Sequence, residues 1–166
     1  MFAFWDKVGL ALQQDFVDMS DPGMVTQLTL RLVLAALLGG LLGFQRERVG
    51  KAAGARTHML VAIGAALIAL LPQQAGMTSA DQSRVLQGLI TGIGFLGAGA
   101  IIKLQDGDTV HGLTTAAGIW MTAAIGMSVG LGRGASALVA TALTLLILMF
   151  VPHVSRQSYH GDAGKK

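Results

Sequence analysis

Apolar residues gather in five continuous runs, Leu28–Phe44, Thr57–Gly76, Val85–Ile102, Leu113–Leu131 and Ala135–Val151, and most charged residues fall in the gaps. Each run approaches the roughly 20 residues that a helix needs to cross the hydrocarbon core. The runs are not alternating, which excludes a transmembrane β-barrel. Lipid offers the backbone no hydrogen-bond partner, so runs of this kind must close their bonds internally, as helices do. The pattern predicts an all-α, polytopic transmembrane helical bundle of about five spans. Residues 1–18 follow a different rule. Phe2, Trp5, Val8, Leu12 and Phe16 fall near one helical face, with Asp6, Gln13, Gln14 and Asp18 elsewhere. That pattern predicts an N-terminal amphipathic helix lying in the interface, the alternative being a disordered tail. Asp21-Pro22-Gly23 then turns the chain into the bilayer. The chain divides into an interfacial helix and turn (1–22), a transmembrane domain (23–152) and a tail (153–166).

Composition agrees with the pattern. Apolar residues make up 52% of the chain and charged residues only 13%, about half the usual charged share of a soluble domain. Cysteine is absent, which excludes disulfides and thiolate metal sites. The first 20 residues lack the basic opening and unbroken apolar core of a signal peptide.

Charge placement predicts orientation. Arg46, Arg48, Lys51, Arg56, Lys103, Arg156, Lys165 and Lys166 would share one side, against Lys7, Arg84 and Arg133 on the other. The positive-inside rule puts the richer side, including the 45–56 loop and the C-terminus, in the cytoplasm and the N-terminus outside.

Small residues recur at four-residue spacing inside the runs: Gly39 and Gly43, Gly88 and Gly92, Gly126 and Gly130, Gly130 and Gly134. Such spacing lets helix backbones approach closely, in one chain or across a dimer seam. The third run carries Gly92, Gly94, Gly97 and Gly99. Gly92 to Gly97 has the spelling of a dinucleotide fingerprint, but that motif needs a preceding strand and an aqueous helix start. A glycine-rich packing helix or a broken helix lining a cavity remain, and packing predicts that Gly94→Leu abolishes accumulation.

The candidate polar framework is Arg46, Glu47, Arg48, Arg56, Asp81, Arg84, Asp106 and Asp108. Glu47, Asp106 and Asp108 are expected to meet Arg46, Arg48 and Arg56 in an ionic cluster that ties the helices together on the inner face. Asp81 and Arg84 are expected to pair at the start of the third run. Arg31 either snorkels or pairs with Asp21 or Asp81. His58 and His111 are candidate pH sensors. Asp106, Asp108 and His111 could hold Mg²⁺ only weakly, so no metal site and no cofactor are assigned. No carboxylate lies in the middle of any run, which argues against ion-coupled transport. Water-accessible Gln87, Thr91, Thr114 and Thr115 would be needed for a channel. No catalytic set or nucleic-acid motif is present, and the chain reads as a non-enzyme.

The stretches from Arg31 to Gly43, Gln45-Arg46-Glu47-Arg48, Gly54 to Gly64, Asp81 to Arg84, Gln87 to Gly99 and His111 to Ala117 together resemble the membrane domain of the MgtC/SapB family. The resemblance covers about residues 28–151. It implies a bacterial inner-membrane protein tied to magnesium limitation, acid stress or survival inside host cells. It also implies a regulatory role on other membrane proteins, such as ATP-driven pumps or ATP synthase, with self-association as a further expectation. Gln45 stands where relatives often carry an acid. The chain ends soon after the fifth run, as in the short SapB-like branch, which lacks the soluble C-terminal domain of the MgtC branch.

Overall fold

The computed structural model describes residues 2–15, 21–103 and 110–160, with side chains over 4–10, 21–101 and 110–150. The elements are α1 (Phe2–Asp15), α2 (Pro22–Arg48), α3 (Ala55–Gln74), α4 (Ser79–Gly99), a ribbon of β1 (Ile102–Lys103) and β2 (Val110–His111), α5 (Leu113–Gly130) and α6 (Gly134–His160). The chain folds as a helical membrane bundle. Helices α2, α3 and α5 are long and apolar enough to cross a membrane, and α6 carries a shorter apolar stretch, Gly134–Phe150. α4 has the length of a span but a less apolar composition.

Local chemistry sets the helix starts. Asp21 is extended, and its Oδ1 accepts from the Gly23 amide at 2.8 Å, with Pro22 beginning α2. Proline suits this position because its missing N–H would have no intrahelical partner. Thr78 caps α4: its Oγ1 accepts from the Asp81 amide at 3.2 Å and donates to Asp81 Oδ2 at 2.7 Å. Gly112 precedes α5 with φ +93°, and a Cβ there would overlap the Ala100 carbonyl, so only glycine fits.

α3 is the centre of the bundle, between α2 and α5. A Cβ at Gly39 would lie 2.6 Å from the His58 carbonyl oxygen and 2.8 Å from Ala62 Cβ. A Cβ at Gly43 would lie 2.6 Å from Ala55 Cα. On the other flank, Gly126 and Gly130 press against the carbonyls of Ala62 and Ala66. Lipid supplies no hydrophobic drive between helices, so this backbone contact is where dispersion accumulates. Leu38, Leu42, Ile125, Val129 and Ala137 complete the buried cluster around Ala62 and Ala66.

The third run packs otherwise. Gly97 is buried and a Cβ there would meet Ala116 at 3.8 Å, an ordinary contact. Nothing lies within 4 Å of a Cβ at Gly88, Gly92, Gly94 or Gly99, so these four do not pack the single chain. α4 is also continuous through them. Trp120, in the middle of α5, is 46% exposed. On α1, Phe4 and Trp5 are exposed with their rings edge to face, 5.5 Å between centroids. The side chains of Phe2, Leu12, Phe16 and Asp18 lie outside the described residues.

Candidate functional site

The antiparallel helices bring the C-terminal ends of α2, α4 and α6 together with the N-terminal ends of α3 and α5. This is the end rich in arginine. Among the described residues its interior holds the buried polar side chains Gln45, Arg46, His58 and Thr115. Arg46 is only 3% exposed. Its Nη2 donates to Thr114 Oγ1 at 3.2 Å, linking α2 to α5, while Nε has no partner among the described residues. His58 is fully buried on α3, with Nδ1 3.0 Å from the Gly54 carbonyl. A carbonyl only accepts, so Nδ1 carries a proton. Nε2 has no partner among the described residues, and it lies 3.5 Å from where a Cβ at Gly118 would be. Gln45 Nε2 donates to the Leu148 carbonyl at 3.4 Å, joining α2 to α6, and its Oε1 is unpaired among the described residues. Arg46 thus ties α2 to α5 and Gln45 ties α2 to α6, with His58 of α3 buried at the same end.

The expected ionic cluster does not form among the described residues. Glu47 Oε2 accepts from the Ala55 amide at 3.1 Å instead, so it caps α3, whose exposed N–H groups favour an anion. The Arg48 guanidinium lies 4.4 Å from the centroid of the Phe44 ring. Arg56 is exposed. Asp106 and Asp108 lie outside the described residues. His111 is exposed on β2, just before the glycine that precedes α5. No three metal-ligating side chains converge among the described residues.

Asp81 and Arg84 belong to the opposite end of the bundle. Asp81 is engaged by Thr78 and does not pair with Arg84, and both are exposed. Arg31 reaches neither Asp21 nor Asp81. Its Nη1 donates to the Gly130 carbonyl at 2.8 Å, filling an acceptor that the end of α5 leaves open. The described members of the polar framework thus lie at opposite ends of the bundle, Asp81 and Arg84 at one and Arg46, Glu47, Arg48 and Arg56 at the other.

Two recesses flank α4. An apolar groove of about 560 Å³ runs between α3 and α4 past Gly64, Gly88 and Gly92. A second, of about 360 Å³, lies beside the arginine-rich end and is lined by Thr57, Phe95, Gly99 and Thr115. The four residues a channel would need are dispersed. Gln87 and Thr91 are exposed on α4, Thr114 binds Arg46, and Thr115 is buried.

Sequence reasoning missed Thr114 as the arginine's partner and the depth at which His58 sits. The Gly112-Leu113-Thr114-Thr115 string and the Gly54-to-His58 spacing were the available signals.

The profile of the MgtC family matches residues 32–157. Protein SrpB of Synechococcus elongatus is 45% identical over 132 residues, which cover 73% of this chain and 72% of SrpB. "Putative magnesium transporter YhiD" of Escherichia coli is 41% identical over 132 residues, covering 75% of this chain and 60% of YhiD. Protein MgtC of Brucella abortus is 44% identical over 115 residues, covering 68% of this chain but only 46% of that protein. No solved structure matches the chain.

Proposed function

The chain belongs to the MgtC family, and from that footing we propose that it is a non-catalytic regulator of other membrane proteins. It would act under magnesium limitation, acid stress or growth inside host cells, in the bacterial inner membrane. ATP-driven pumps or ATP synthase are the proposed targets. The arginine-rich end would face the cytoplasm, where Arg48, Lys51 and Arg56 also suit anionic headgroups. The observation that carries the reading is the buried Arg46. A guanidinium that meets only a hydroxyl among the described residues repels a cation approaching through the bundle. That supports a protein that senses or docks over one that conducts.

The test is ATP-driven proton pumping in membrane vesicles from cells with and without the chain, grown at low magnesium. Expected is a change in pumping that disappears in Arg46→Met at equal protein level. Identical pumping in all three samples would refute the regulatory reading. The second reading is a cation or proton channel or transporter, including one for Mg²⁺. It is favoured by the wording of the YhiD name.

A further inference from the structure

We infer that the outward face of α4 is an interface with a second copy of this chain, closed by polar side chains that one copy leaves without partners. The inference stands apart from the regulatory reading. It begins with a mismatch on one helix. α4 has 21 residues, about 31 Å of helix, enough to cross the hydrocarbon core. It packs on α3 and α5 through Ile93 and Gly97, its buried residues. The opposite face carries Arg84, Gln87, Thr91, Gly94 and Ala98, all exposed. Their spacing alternates three and four, the rhythm of a seam between two helices. This face is where α4 loses the apolar character that α2, α3 and α5 retain.

Lipid is the wrong neighbour for such a face. The Gln87 amide has no partner among the described residues. Thr91 satisfies its own hydroxyl proton on the Gln87 carbonyl at 2.9 Å. An amide facing hydrocarbon is costly, whereas amides and small residues at helix–helix contacts are favourable.

The face fits itself. A two-fold axis along the membrane normal sets two α4 helices parallel, so that seam residues meet their own counterparts. A glutamine offers both donor and acceptor, so two Gln87 amides satisfy one another. Arg84, the outermost seam residue, lies at the start of α4, where its guanidinium can turn out to the headgroup region and away from its counterpart. Gly94, with nothing within 4 Å in one chain, lets the backbones approach. Phe95, 81% exposed, then has the groove beside Gly92 of the other copy to enter.

The chain has no cysteine, so single cysteines report without background. Gln87→Cys, Thr91→Cys and, as an off-face exposed control, Leu143→Cys would be oxidised in native membranes. Expected is a disulfide-linked species of twice the monomer mass from the first two and not from Leu143→Cys. Adding Gly94→Leu to Thr91→Cys should reduce that species at least tenfold while the monomer accumulates normally. Monomer only at both seam positions would overturn the inference. So would equal cross-linking at Leu143→Cys, adducts of another protein's mass, or free reaction of the Gln87→Cys and Thr91→Cys thiols with a membrane-impermeant maleimide.

Discussion

Arg46 on α2 donates to the hydroxyl of Thr114 on α5 at 3.2 Å, and no carboxylate among the described residues neutralises it. A buried charge held this way contributes little to stability, because the cost of removing it from water is not offset by an ion pair. In the proposed reading this charge therefore serves function rather than stability.

Arg46→Met is therefore expected to separate the two roles. Methionine fills similar volume without charge, and such replacements of buried ions range from neutral to about 4 kcal/mol stabilising. Thermal unfolding in detergent should show a midpoint at or above wild type, while the effect on pumping is lost. A midpoint several degrees lower would mean that the arginine holds the bundle together.

The glycines of the bundle differ by which face they occupy. Gly126→Leu and Gly130→Leu should abolish accumulation, since the carbonyls of Ala62 and Ala66 already occupy the space of a Cβ. Gly94→Leu should accumulate at the wild-type level, contrary to what its sequence context suggests. Immunoblots of membrane fractions distinguish these outcomes.

Arg31 secures the far end of α5. Arg31→Ala removes the donor to the Gly130 carbonyl and should cost about 1.5–3 kcal/mol, the range for a hydrogen bond to a charged group. Arg31→Lys should recover part of it. Both are measured by unfolding in mixed detergent and denaturant.

Glu47 and Thr78 serve helix starts. Thr78→Ala should cost about 1 kcal/mol, as for other capping residues, and Glu47→Gln less, since the amide oxygen still accepts from Ala55. Faster hydrogen exchange confined to the first turns of α4 and α3, respectively, would confirm the local origin.

Much of the architecture was legible in the apolar runs, because hydrocarbon thickness dictates their length. The helix ends were less so. The run Leu28–Phe44 became a helix from Pro22 to Arg48, since polar residues continue a helix into the headgroup region. Four-residue glycine spacing looks the same at Gly39 and at Gly88. Only the tertiary arrangement shows that the first faces α3 and the second faces open space. The arginine-rich end was visible in the Gln45-to-Arg48 string, but its organisation was not. Opposite charges at this end suggest ionic pairing, yet Glu47 caps a helix and Arg46 turns inward, because sequence gives charge without direction.

The most direct measurement is cation and proton flux through the purified, folded protein in sealed liposomes under an imposed membrane potential. Arg56→Ala and Asp81→Ala would be run beside it. Flux no greater than from empty liposomes is expected of a regulator. Flux above that background, falling in the two variants, would make the chain a conductor and contradict the regulatory reading.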